Sequence, residues 1–474
     1  MDLLRLPILG SMLRWRHIRV SLQTVMLVIA ASVVVHGLFG PQIGPRNLAT
    51  VLTSIHWRGL LVIGLLVAGN VFCTACPMIL ARDAARRIAE PRFSWPRRLR
   101  RKWIGIGLLI LVLFSYELFD LWELPAATAW VILGYFGLAI VVDVLFKGAA
   151  FCKYVCPIGQ FNFIGSTMSP VEVGVRSHDI CRSCRTSDCI KGQRSVIQPL
   201  HVITRGCELG LFLPTKAGNL DCTLCLDCVH ACPHNNVALE VRLPGLELLQ
   251  TGRRSSIGRL LQRADLAALA VVFTFGALVN AFAMTAPAFA MEHRLATVLH
   301  VQSEAPVLAA LFFMALLLIP VALLLGATAI TRLVGGNPER SIRGGLSQFA
   351  LALIPLGLGM WLAHYGYHLL TGLLTIVPAT QSAAIDLVGT AVLGEPLWGW
   401  TGLPPGSVYP IQLGFLILGA CGSIALVQAT SSRDYPERPT IAAAPWLVVI
   451  VALAILAIWI LNQPMDMRGL GGIG

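Results

Sequence analysis

Long apolar stretches separated by short charged ones set the pattern of this chain. Runs of roughly 20 apolar residues, the length of a membrane-crossing helix, fall at 20–40, 59–80, 103–119, 128–147, 265–290, 305–331, 346–375, 411–430 and 444–462. Nine membrane helices are therefore expected. A polar insertion, 148–264, interrupts them after the fourth. Between the fifth and sixth, the spaced apolar residues of 291–304 predict an amphipathic helix lying on the membrane surface. The expected organisation is a four-helix membrane part at 1–147, an inserted domain at 148–264 and a five-helix membrane part at 265–474.

Composition strengthens the membrane reading. The chain is 56% hydrophobic and 13% charged, about half the charge of a soluble domain. The net charge of +12 could suggest nucleic acid, but its placement argues against that partner. Nine basic residues, Arg82 to Lys102, sit against two acids after the second apolar run. Arg332, Arg340 and Arg343 follow the sixth, whereas 376–410 has no Lys or Arg. The positive-inside rule places the N-terminus in the cytoplasm and the C-terminus outside. The insertion then lies in the cytoplasm, and its basic end (Arg253, Arg254, Arg259, Arg263) agrees. The first apolar run is not followed by a small-residue cleavage site and reads as a retained helix. The outer loop, with Trp398, Trp400 and Tyr409, has the aromatic residues of a membrane interface or a docking face.

Of 13 cysteines, 12 lie between Cys73 and Cys232, a grouping that suggests ligands rather than disulfides. Cys222-x2-Cys225-x2-Cys228-x3-Cys232-Pro233 is the bacterial ferredoxin signature, in which the fourth cysteine serves the neighbouring cluster. Crossover then assigns Cys181, Cys184, Cys189 and Cys232 to one [4Fe–4S] cluster. Cys222, Cys225, Cys228 and Cys207 go to a second. A zinc site is disfavoured, because zinc seldom uses this run. A short repeat, GNVFCTACPMIL and GAAFCKYVCPIGQF, supplies four more thiols: Cys73, Cys76, Cys152 and Cys156. Three readings stay open for these: a third [4Fe–4S] cluster, structural thiols, or a Cu(I) site. Cys421, alone among small residues, reads as packing.

The block from Phe72 through CKYVCPIGQFNF to CLDCVHACPHNNV resembles the membrane-bound polyferredoxins of the NapH and NosR type. The longer layout, with five further helices, resembles the FesM-type membrane iron–sulfur proteins. The resemblance implies an all-α polytopic membrane protein, N-in and C-out, with an inserted cytoplasmic α+β two-cluster ferredoxin-like domain. It implies a bacterial cytoplasmic (inner) membrane and electron transfer between quinone or quinol and a redox protein such as a ferredoxin, a cytochrome c or a reductase. Relatives of the CcoG type imply a copper-handling assembly factor instead. A relay or anchor subunit of a larger complex is a third class. The first repeat here is CxxCP rather than CxxxCP.

The second membrane half offers less. His364 and His368, spaced i, i+4, share one helix face with Tyr365 and Tyr367 nearby. A quinone-head site, a haem b ligand partnered by His36, and plain helix-to-helix hydrogen bonding compete for them. Haem is disfavoured, because one helix cannot place both imidazoles across a single haem. Asp143 and Glu117 are acids within or at the ends of spans, candidates for proton relay or for interfacial anchoring. His230 and His234 flank Cys232 and read as solvent or partner contacts. No Gly-rich nucleotide loop appears in a strand–helix setting, which argues against direct NAD(P)H oxidation.

Overall fold

The computed structural model describes residues 1–194, 202–216, 218–250 and 263–465; Arg253, Arg254 and Arg259 lie outside them. The protein is a polytopic all-α membrane protein with a little strand. Among the described residues, eight helices are long and apolar enough to cross a membrane. They are α1 (Ile18–Phe39), α2 (Leu48–Ala68), α4 (Pro125–Leu145), α5 (Ala264–Phe282), α6 (Glu304–Val334), α7 (Ile342–Thr371), α8 (Pro405–Asp434) and α9 (Pro439–Leu461). The shorter apolar helix α3 (Trp103–Leu118) occupies the third expected position. It starts directly after Lys102 and stops before Asp120, which takes a left-handed φ of 45°.

One boundary differs strongly from expectation. The second span runs over 48–68, not 59–80. Inside the helix the polar groups of His56 and Arg58 find partners. The His56 ring nitrogens lie 3.1 Å from the Val51 carbonyl and 3.2 Å from the Leu373 carbonyl. The Arg58 guanidinium lies 3.6 Å from the centre of the Tyr116 ring. Paired in this way, polar groups can stay within an apolar segment. The fifth span is also shorter than expected: α5 ends at Phe282, and a separate helix, Ala286–Val298, begins with Pro287 in its first turn. Part of the expected outer loop is helical, Ile376–Val388.

By packing, the chain divides into two compact units. One comprises 1–30, 64–105 and 135–263; the other comprises 31–63, 106–134 and 264–474. The second unit centres on α5 and α7. Within their most apolar stretches, 78% and 89% of residues are buried by protein. Lipid tails supply no hydrophobic drive between helices, so close backbone approach and polar links hold them. A Cβ on Gly359 would come within 2.6 Å of the Phe415 carbonyl, and one on Gly419 within 2.6 Å of the Pro355 carbonyl. Trp361 donates to the Phe273 carbonyl at 2.8 Å, and Gln412 to the Ala363 carbonyl at 3.0 Å. By contrast, only 11% of α1's apolar stretch is buried, and Val25, Val28 and Val35 are exposed, as lipid-facing positions should be.

The first unit holds all twelve grouped cysteines. Its strands β1 (Val171–Val175) and β4 (Val237–Val241) pair antiparallel, Val171 opposite Val241 and Val175 opposite Val237. Two shorter strands, β2 (Gln193–Arg194) and β3 (Val202–Thr204), pair separately. A small core of Leu4, Val173, Leu213, Leu224, Leu226, Val237 and Leu239 lies against the first pair. The Asp2 carboxylate accepts from the Leu239 amide at 3.1 Å and so ties the N-terminal segment to this core.

Candidate metal centres

The sequence repeat is also a structural repeat. Helix α2 ends at Ala68, and Gly69 turns the chain at φ +74°. A single helical turn, Val71–Thr74, then carries Cys73, and Cys76 precedes Pro77 at the start of the helix Met78–Ile88. Helix α4 ends at Leu145, Gly148 turns the chain at φ +77°, and a widened turn, Phe151–Val155, carries Cys152. Cys156 caps the helix Pro157–Gly165, its Sγ accepting from the Gly159 amide at 3.2 Å. Glycine suits both turns because it adopts positive φ without Cβ strain. The four cysteines therefore stand just beyond the spans, not within their last turns.

These thiols are electrostatic neighbours. Burial, and then Cys76, pushes Cys73 up to about 12. Cys156 is raised by burial and by Cys73 and Cys76, and Cys152 by burial, Asp143, Cys156 and Cys76. Asn162 donates to Cys73 Sγ at 3.6 Å. The Asp143 carboxylate accepts from the Phe151 amide at 2.8 Å and so clamps the turn bearing Cys152.

The other eight cysteines form two further neighbourhoods. One cavity is lined by Cys181, Cys184, Cys189 and Cys232 together with Ile180, Phe212 and His234. Cys189 is pushed up to about 11 by burial, then by Cys232, Cys181 and Cys184. Cys184, near solvent, is instead lowered by the Ser187 amide. Asn236 donates to Cys181 Sγ at 3.2 Å through its side chain and to Cys232 Sγ at 3.4 Å through its amide. In the other neighbourhood, burial and then Cys225, Cys222 and Cys207 raise Cys228. Leu224 and Leu226 take left-handed φ of 52° and 59°, so the CTLCLDC loop coils on itself. Such alternation turns successive amides inward into a nest, a concavity suited to anionic groups, iron–sulfur centres included.

Successive neighbourhoods touch. The Cys207 amide donates to the Cys189 carbonyl at 2.9 Å. Asn70 donates to the Cys222 carbonyl at 3.2 Å, and Thr74 to the Thr223 carbonyl at 2.8 Å. The middle set thus lies between the cavity set and the repeat set. Among the described residues, no three His, Cys, Asp or Glu side chains close tightly enough around one point for a single metal ion. A four-iron cubane spreads its thiolates more widely than one tetrahedral zinc does. The grouped thiols, several of them receiving hydrogen bonds at sulfur, fit such clusters.

Comparison with known proteins points the same way. The chain is 28% identical over 147 residues to the methylamine utilization ferredoxin-type protein MauN of Paracoccus denitrificans, covering 27% of this chain and 50% of that one. It is 26% identical over 215 residues to the regulatory protein NosR of Pseudomonas aeruginosa, covering 41% of this chain and 28% of that one. At low identity, these similarities support a likeness to membrane ferredoxin-type proteins. The chain thus spans half the length of the first relative and under a third of the second. No family model matches the sequence, and no solved structure matches it significantly.

The chain also contains a buried charge cluster that sequence reading missed. Arg82, 2% exposed, meets Glu208 with two hydrogen bonds of 2.9 and 3.0 Å and Asp83 with two of 2.9 and 2.7 Å. Asp143 lies 3.6 Å away. Burial works to raise the Glu208 pKa, but Arg82 outweighs it and holds the carboxylate below its usual range. Arg82 also works against the burial that raises Cys76 and Cys152. In the sequence it is one of nine loop charges, with nothing to distinguish it.

In the other unit, His364 and His368 meet edge to face at 4.9 Å. The Nε2 atoms of both are buried without a hydrogen-bond partner. Tyr365 packs on Trp361 at 4.9 Å and lies 5.3 Å from the Arg58 guanidinium, whereas Tyr367 sits against His368 at 5.6 Å. His36 has both ring nitrogens engaged. Its Nδ1 accepts from the Leu48 amide at 3.0 Å, and its Nε2 lies 3.1 Å from Asp386. Glu117 accepts from Asn280 at 3.1 Å.

Proposed function

We propose that this chain relays single electrons between a redox protein partner and the quinone pool of a bacterial cytoplasmic membrane, through three [4Fe–4S] clusters on the cytoplasmic side of nine spans. The observation that supports this reading is the contiguous order of the three thiol sets. Cys181, Cys184, Cys189 and Cys232 would hold the first cluster. Cys222, Cys225, Cys228 and Cys207 would hold the second, and Cys73, Cys76, Cys152 and Cys156 the third. Such clusters supply one-electron chemistry at a potential set by net charge, solvent exposure and hydrogen bonds to sulfur. The residues around them set those terms. Asn236, Asn162 and the Gly159 amide donate to sulfur. Arg82 compensates negative charge beside the third set. Helix α7 offers the quinone head a pair of unpartnered imidazoles, His364 and His368, with Tyr365 and Tyr367 alongside.

The test is anaerobic. Protein reduced with dithionite and freed of reductant is mixed with decylubiquinone, and the EPR signal of the reduced clusters is followed. The signal should disappear as quinol forms. The His364→Leu/His368→Leu double variant should slow that loss about a hundredfold or more (the usual contribution of positioned proton donors) and leave the reduced spectrum unchanged. Reduced wild-type clusters that persist in the presence of quinone would remove the quinone leg of the proposal.

A further inference from the structure

The cavity of the first thiol set has a second, polar concavity beside it. That concavity is lined by Arg5, Arg14, Arg176, His234, Asn235 and Leu4, and His234 lines both. One strand end separates them: Val175 lines the thiol cavity and the next residue, Arg176, lines the polar one. Arg176 is fixed there by Asp2 at 2.8 Å and by the Asn235 carbonyl. Arg5 is largely exposed and reaches Asp2 only at 3.7 Å. Arg14 is exposed and has no carboxylate partner among the described residues. Three guanidinium charges against one carboxylate leave two positive charges uncompensated at the wall of the thiol cavity.

We infer that this arginine-lined concavity is the docking surface for a soluble one-electron carrier protein with an acidic surface, seated over Cys181, Cys184, Cys189 and Cys232. The inference rests on the electron-relay reading above. Exposed complementary charge steers encounter and fixes orientation more than it adds affinity. One electron crosses the shared wall. The carrier changes by one electron, the first cluster changes by one in the opposite sense, and no bond or proton moves. An anionic lipid headgroup would use the same charges but leave the wall shared with the thiol cavity without a role.

The experiment uses the full chain in phosphatidylcholine nanodiscs, with an acidic plant-type [2Fe–2S] ferredoxin as probe. Binding is measured by calorimetry and electron exchange by stopped flow. Arg5→Glu/Arg14→Glu should weaken binding and slow exchange about tenfold at low salt. The difference should vanish near 1 M salt, where the Debye length falls to about 3 Å. Arg5→Lys/Arg14→Lys should keep most of both, and Arg5→Ala/Arg14→Ala should fall between. Exchange with the small viologen cation should not be slowed in any variant. Unchanged ferredoxin binding in the reversed-charge variant, with viologen exchange intact, would overturn the docking surface and leave the relay standing. A charge effect confined to phosphatidylserine nanodiscs would overturn it in favour of a lipid contact. Wild-type protein that exchanges with neither donor would overturn the relay beneath it.

Discussion

Replacing Asn236 tests whether these hydrogen bonds act on a redox centre or only on the fold. Its side chain donates to Cys181 Sγ at 3.2 Å and to the Ser177 carbonyl at 2.7 Å, and accepts from the Ser177 amide at 2.9 Å. A donor to sulfur favours the more negative, reduced state. If that preference is worth roughly 1 kcal/mol, Asn236→Ala should lower the potential of the first cluster by about 40 mV, since 59 mV corresponds to a tenfold change for one electron. Asn236→Asp loses the same donor and adds a charge. At about 5 Å and an effective dielectric of about 20, that charge contributes about 3 kcal/mol, a further fall of about 140 mV. The assay is a potentiometric titration followed by EPR on anaerobic protein. The order wild type, Ala, Asp should run from highest to lowest potential. The Ala variant loses both Ser177 contacts and the Asp variant loses the donated one, so some thermal destabilisation is expected in each. Destabilisation without any change in potential would refute the electrostatic reasoning and leave Asn236 a purely structural residue.

Other predictions follow from the same geometry. Arg82→Gln leaves Asp83, Asp143 and Glu208 without their shared cation, so it should destabilise by about 3–5 kcal/mol, read as a drop of several degrees in the thermal midpoint. Arg82→Lys keeps the charge but not the two-pronged contact and should recover only part of the loss. Glu247 is 1% exposed and faces Arg242, with Glu172 and Lys216 in the same network. Burial raises its pKa from 4.5 to about 7. The folded protein therefore holds this proton more tightly than the unfolded chain does. The contribution is complete below about pH 4.5 and lost as pH rises through about 7, up to roughly 3 kcal/mol in all. The thermal midpoint should fall across that window, and Glu247→Gln should flatten the profile.

The apolar spans were legible in the sequence because lipid demands long uninterrupted helices. The ferredoxin spacing was legible because its thiols lie within one short loop. The second span was misplaced because His56 and Arg58 are satisfied by Leu373 and Tyr116, residues far along the chain. Arg82 and Asn236 escaped notice for a similar reason. Their roles depend on Glu208 and Cys181, which no local pattern links to them. The Asp143 contact to the Phe151 amide exists only because the chain turns at Gly148, which no local pattern announces. The His364/His368 pair was visible from spacing alone, but its two unpartnered nitrogens required the packed helices.

Iron and acid-labile sulfide analysis with EPR on anaerobically purified protein tests the central claim most directly, comparing wild type with Cys73→Ser/Cys152→Ser. Three four-iron clusters predict about twelve irons and twelve sulfides per chain, falling by about four of each in the variant, with the remaining signals intact. About eight irons in both proteins, with copper bound at Cys73, Cys76, Cys152 and Cys156, would contradict the three-cluster relay and make the repeat a copper site.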